Sequence, residues 1–130
     1  MQLQTKGISH VALRTTDMAR AHQFYTETLG FPIVIKTDEL FLFSAGGTLI
    51  GIRDAHAQTP SGDRFNPFRV GLDHIALAVE ESALEGLKAQ LDGAGVHNNG
   101  IENDTLTGSK YISFYDPDGI AWELYYLPAR

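Results

Sequence analysis

Apolar and polar residues alternate in two stretches of this chain that read almost alike: ISHVALRTTD at residues 8–17 and LDHIALAVEE at residues 72–81. Each places a histidine third and follows it with an apolar residue, an alanine and a leucine. A period of two is the mark of a strand. In the first stretch Ile8, His10, Ala12 and Arg14 share one face, and Val11, Leu13 and Thr15 the other. In the second, Leu72, His74, Ala76 and Ala78 lie opposite Ile75, Leu77 and Val79. The aliphatic face calls for a helix packed on it. The face with the histidine and alanine leaves space.

A helix is expected after each strand. Met18, Ala21, Tyr25 and Leu29 recur at roughly helical spacing behind a cap at Thr16 or Asp17. Leu84, Leu87 and Leu91 make a second apolar stripe, with Ser82 and Glu85 spaced as a capping box. Gly30 and Gly95 stand just past the two helices, where a left-handed residue ends the turn. Strands are then expected at 32–36, 39–44 and 47–53, and again at 97–103, 109–115 and 119–126. Gly47 matches Gly119, and DPDG at 116–119 signals a turn. Each half therefore reads strand, helix, strand, strand, strand. The expected fold is α+β: one domain over 1–130, with a first βαβββ module at 8–53, a linker at 54–71 and a second module at 72–127. The linker carries Pro60, Gly62 and Pro67 and reads as a solvated connection or a lid.

Charge and composition narrow the function classes. Ten Lys and Arg against sixteen Asp and Glu give a net charge of -6, which argues against nucleic acid and against an anionic membrane surface. The chain has no cysteine, hence neither disulfides nor thiolate chemistry. The opening MQLQTKGISH holds no apolar signal-peptide core, and no apolar run is long enough to span a bilayer. The expected location is the cytoplasm.

The repeat also carries candidate chemistry. Glu123 interrupts the apolar strand IAWELYYL. With Trp122 and Leu124 under the helix layer, Glu123 points to the side of the two histidines. A carboxylate drawn out of water is costly unless a cation sits beside it. Two imidazoles and one carboxylate on neighbouring strands, His10, His74 and Glu123, make a facial set with open positions. Such a set suits one divalent ion: Fe or Mn, with Zn or Ni also compatible. His22, His56 and His97 have no repeat partner and read as surface residues.

The segments ISHVALRTTDMARAHQFYTETLGF (8–31), LDHIALAVEE (72–81) and FYDPDGIAWEL (114–124) resemble the vicinal oxygen chelate superfamily, which embraces glyoxalases, bleomycin resistance proteins and extradiol dioxygenases. With the repeat, the resemblance covers nearly the whole chain. It implies paired βαβββ modules that form a curled eight-stranded cleft, and a homodimer. It also implies metal ligands on the first and last strands of each module. Carried over by position, these are His10, His74 and Glu123, while the fourth position falls on Gly51, which cannot ligate. The three-ligand set is more similar to extradiol dioxygenases and fosfomycin-modifying enzymes than to four-ligand glyoxalases. The dioxygenase signature is only partly matched: LTGSKYIS (106–113) lacks its histidine, and Ser113 stands at its tyrosine position.

What the resemblance implies is a metal-dependent lyase, isomerase or dioxygenase. Such an enzyme chelates two neighbouring oxygens of a small substrate and stabilises an oxyanion or enolate. The alternative is a metal-free small-molecule-binding protein of the bleomycin-resistance kind. Around the ligands, Glu39 is the candidate base, as the repeat match of Tyr111, and Tyr111 the candidate proton donor. Arg14, Arg53, Ser113 and Tyr125 share the ligand-bearing faces as candidate substrate contacts, the arginines for an anionic group.

Overall fold

The computed structural model describes residues 1–128. The chain divides into two compact units, residues 1–63 and 64–130. The first unit contains β1 (His10–Arg14), α1 (Met18–His22, continued by a π-helical stretch Gln23–Thr28), β2 (Ile33–Lys36), β3 (Leu40–Ala45) and β4 (Thr48–Arg53). The second contains β5 (Ile75–Ala78), a 3-10 turn (Glu81–Ala83) leading into α2 (Leu84–Gly93), β6 (Asn98–Asp104), β7 (Ser109–Tyr115) and β8 (Ala121–Tyr126). This is βαβββ twice, as the repeat predicts. The strands form two four-stranded sheets, ordered β1-β4-β3-β2 and β5-β8-β7-β6. In each, the first and last strands pair in parallel and the other pairings are antiparallel.

The alternation read from sequence sets which face each helix covers. In the first sheet Leu13, Phe41, Phe43, Ile50 and Ile52 are buried. Tyr25, brought round by α1, is itself fully buried and stacks on Phe43 with ring centres 5.0 Å apart. Phe31 stacks on Phe43 as well, at 5.0 Å. His22 is half-buried rather than a surface residue, its ring edge-on to Phe41 at 5.2 Å. In the second sheet Ile112, Phe114, Trp122 and Leu124 are buried with Leu84 and Leu91 of α2, and Phe114 stacks on Trp122. Burying a large aromatic side chain of this kind is worth about 1.5–3 kcal/mol.

The helix ends follow their expected chemistry on one side and depart from it on the other. The Asp17 carboxylate accepts from the Arg20 backbone N–H at 3.1 Å, capping α1. The capping box at Ser82 and Glu85 does not form: Ser82 lies inside the 3-10 turn, and neither Glu80 nor Ala83 makes a side-chain cap bond. The tight turn takes up the entry that a cap would otherwise mark. Gly30 and Gly95 have φ of +76° and +71°, and the residue after each donates back into its helix, Phe31 to Tyr25 and Val96 to Leu91. A side chain at either position would strain that left-handed backbone.

Between β4 and β5 the connection has no regular element. Its second part is tied down within the second unit. The Arg64 guanidinium donates to the Pro117 carbonyl at 3.1 Å, and the Phe65 N–H donates to the Asp118 carbonyl at 3.1 Å. Among the described residues no helix is long and apolar enough to cross a membrane.

Candidate metal centre

In the second sheet, the face away from α2 carries the candidate chemistry. Register places Ala76 opposite Glu123, Ser113 opposite Glu123 on the other side, and Tyr111 opposite Tyr125. His74 immediately precedes β5, and its Nε2 lies 3.3 Å from Oε1 of Glu123. Its Nδ1 lies 2.6 Å from Oδ1 of Asp73. The Glu123 side chain is only 16% exposed, whereas that of His74 is 39% exposed. Burial pushes the Glu123 carboxyl above the usual range; His74 acts against that, and Asp73, Asp104 and Glu102 reinforce it. The carboxylate therefore sits where its negative charge is only partly compensated, by His74. That is the setting in which a bound cation is favourable.

Beyond Glu123 the same face continues as a polar network. Tyr111 and Tyr125 stack with ring centres 5.8 Å apart. The Tyr125 hydroxyl donates to Oδ2 of Asp104 at 2.8 Å and lies 2.5 Å from the Thr107 hydroxyl. The Tyr125 hydrogen bond holds the Asp104 carboxyl below its ordinary range, helped by the Leu106 backbone N–H. The Tyr111 hydroxyl reaches Oε2 of Glu102 at a long 3.4 Å. Burial pushes that phenol up, with Glu102 and Glu123 adding to the shift, so it holds its proton at neutral pH and is a donor rather than a base.

The first sheet shows how the halves differ. Register puts Ala12 opposite Gly51, the equivalent of Ala76 opposite Glu123. Leu42 pairs with Gly51 where Ser113 pairs with Glu123. A Cβ on Gly51 would stand 2.9 Å from Cδ2 of Leu42. The volume a carboxylate would need is occupied by leucine in one module and left open by serine in the other. Around it, His10 is exposed at the start of β1, and its Nδ1 lies 2.9 Å from the Ser9 hydroxyl. Arg14 and Arg53 are exposed and paired in register, with Arg14 donating to the Asp54 carbonyl at 2.5 Å.

The structure thus brings together two of the three expected metal donors, His74 and Glu123, while His10 belongs to the other unit. Among the described residues, no three His, Cys, Asp or Glu side chains gather into a group set to hold a metal on its own. Glu39 needs a correction. The residue equivalent to Tyr111 is Leu40, since Tyr111 pairs with Tyr125 and Leu40 with Arg53. Glu39 is an exposed residue ahead of β3, in step with Phe41 and Phe43, and its N–H donates to the Thr37 hydroxyl. Sequence reasoning missed Glu102, Asp104 and Thr107, which become neighbours of the two tyrosines only once the β6–β7 hairpin is in register. It also missed Asp73 and Ser9, although each directly precedes a histidine that the repeat singles out.

Comparison with known proteins agrees with this architecture. A profile of the Glyoxalase/Bleomycin resistance protein/Dioxygenase superfamily matches residues 7–124. The protein YwkD of Bacillus subtilis (strain 168) is 30% identical over 125 residues, covering 92% of this chain and 96% of its own. The metallothiol transferase FosB of Staphylococcus saprophyticus is 29% identical over 122 residues, covering 92% and 76%. Among solved structures, a glyoxalase family protein from Enterococcus faecalis superposes with a TM-score of 0.79 at 30% identity, covering 92% of this chain and 97% of its own.

Proposed function

The chain belongs to the glyoxalase/bleomycin resistance protein/dioxygenase superfamily, and from that premise we propose that it is a divalent-metal-dependent enzyme acting on a small, oxygen-bearing substrate. His74 and Glu123 of the second module are the donors, and His10 is the matching candidate in the first. The observation that carries this reading is the His74–Glu123 pair: a nitrogen and an oxygen donor 3.3 Å apart, the oxygen on a carboxylate pushed above its usual range by burial. These residues fit a borderline or hard divalent ion. The name metallothiol transferase, borne by the Staphylococcus relative, also supports a metal-dependent group transfer as the first reaction to assay.

When bound, such an ion would supply Lewis-acid polarisation of substrate oxygens. The chain's own groups would do the rest. Tyr111, protonated at neutral pH, can donate a hydrogen bond to a substrate oxygen that gains negative charge. Ser113, facing Glu123 across the strand pair, keeps room for substrate and offers a hydroxyl. Tyr125 is held by Asp104 and Thr107, so it offers substrate a fixed ring surface more than a free hydroxyl. Arg14 and Arg53 would attract an anionic substrate group toward the first sheet's open face. Glu39 keeps no assigned part in this scheme.

The test is metal analysis of protein purified without chelator, alongside His74→Ala and Glu123→Gln. Wild-type protein is expected to carry about one equivalent of a divalent ion. Both variants should lose it while keeping the far-ultraviolet dichroism and melting behaviour of a folded protein. Wild-type protein that stays metal-free after incubation with Mn(II), Fe(II), Ni(II) or Zn(II) would sink the reading in favour of metal-free ligand binding.

A further inference from the structure

Both histidines that the repeat singles out make the same local contact. Ser9 and Asp73 directly precede His10 and His74, and each presents a side-chain oxygen to Nδ1 of the ring that follows, at 2.9 and 2.6 Å. Adjacent residues in a regular strand point to opposite faces. The contact is available here because Ser9 and Asp73 both stand just before the strand begins, β1 starting at His10 and β5 at Ile75.

The two contacts are chemically unequal. A serine hydroxyl can donate to Nδ1 or accept from it. An ionised aspartate can only accept. Both ring nitrogens of His74 face a carboxylate, but Asp73 stands closer, at 2.6 Å from Nδ1 against 3.3 Å from Nε2 to Glu123, so the geometry favours the proton of a neutral ring on Nδ1. Its other nitrogen, Nε2, then faces Glu123 as a lone pair, 3.3 Å from the carboxylate oxygen. Lone pair against carboxylate is unfavourable unless a cation lies between them. The same geometry therefore readies the pair for an ion.

We propose that Asp73 is a positioning residue that fixes the Nδ1–H tautomer and ring orientation of His74, so that Nε2 and Glu123 present two donors together. Ser9 plays the weaker, tautomer-neutral counterpart at His10. This inference rests on the metal-dependent reading above, but its first readout does not need the metal. In chelator-treated protein, ¹⁵N–¹H correlation spectra of the neutral ring, recognised by its ¹⁵N shifts, report which ring nitrogen of His74 bears the proton. Wild-type protein should show Nδ1–H. Asp73→Ala should move His74 toward Nε2–H. Asp73→Asn, whose amide oxygen still accepts, should keep the wild-type pattern in large part.

Mn(II) and Ni(II) affinity by calorimetry is the second readout. Asp73→Ala should weaken it by about tenfold to a hundredfold, as loss of an outer partner of a ligating histidine does. Asp73→Asn should restore most of that loss, and Ser9→Ala should cost less than Asp73→Ala. Nε2–H on wild-type His74, or an Asp73→Ala protein with unchanged tautomer, overturns the proposal. So does an Asp73→Ala protein whose metal affinity equals wild type. Should wild type bind neither ion while His74 still shows the Asp73-dependent Nδ1–H form, the positioning contact stands and the metal reading falls.

Discussion

Gly51 offers a direct test of why the two modules differ. A Cβ added there meets Cδ2 of Leu42 at 2.9 Å, with the Val11 carbonyl at 3.8 Å and the Ala12 Cβ at 3.9 Å. The last two are ordinary contacts; the first is not, and must open by several tenths of an ångström. Leu42 is half-buried, so its side chain can yield, but only by leaving its rotamer well. That costs about 0.5–1.5 kcal/mol. Against it, Gly51 has no positive φ. Alanine there therefore restricts the unfolded chain and gains about 0.4–1 kcal/mol. Gly51→Ala should come out close to neutral on its own. In a Leu42→Ala background the clash is gone and only the gain remains, so the same substitution should stabilise. Urea unfolding of the four proteins gives the coupling directly, expected at about 0.5–1.5 kcal/mol. If the two substitutions add within error, Leu42 does not fill the position and the account of the closed first module is wrong. The pair Gly51→Glu and Leu42→Ser extends the logic: the glutamate alone should destabilise strongly, and the added serine should recover part of the loss.

Other consequences follow from the same geometry. In chelator-treated protein, Glu123→Gln should raise stability at neutral pH. The raised carboxyl of Glu123 contributes stability that is fully present below the ordinary carboxylate range and is lost as pH rises through its folded value. The variant's advantage should thus fade on acidification; an advantage that grows instead refutes the burial argument. Tyr125→Phe should let the Asp104 carboxyl rise toward its ordinary value, read by NMR titration. The stability that Asp104 contributes above the ordinary carboxylate range would then be lost at a higher pH than in wild type. Asp17→Ala removes the cap on α1 and should cost about 1 kcal/mol in denaturant unfolding. Trp122→Ala, at a fully buried site stacked on Phe114, should cost about 3–5 kcal/mol. A loss below about 1 kcal/mol would mean that the second sheet's core is not packed as described.

Much of this fold is legible in the chain because its two halves check each other. The alternation around His10 and around His74 assigns the same face to each histidine, and burial follows it: Leu13 and Thr15 are buried in the first sheet while Ala12 and Arg14 are exposed. The match of Gly51 to Glu123 also holds in register, through Ala12 and Ala76. What slipped was Glu39, and the cause is one residue of turn. Between β3 and β4 the turn is Gly46–Gly47, closing on Ala45 and Thr48. In the second module the backbone closes on Asp116 and Ile120, with Pro117, Asp118 and Gly119 between them. A repeat spacing carried back from β8 to β7 is therefore off by one residue, and a one-residue slip exchanges the faces of a strand.

The same reasoning explains why Asp73 was invisible to pattern analysis. Alternation places Asp73 on the face opposite His74, and a strand running from Leu72 would have kept them apart. The strand begins instead at Ile75, so Asp73 is free of the alternation and turns its carboxylate onto the ring beside it. The periodic signal identifies which residues share a sheet face. It is silent at the strand's first residue, where the chain enters the pleat. In both modules the candidate metal histidine stands at that boundary, with its Nδ1 held by the residue that directly precedes it.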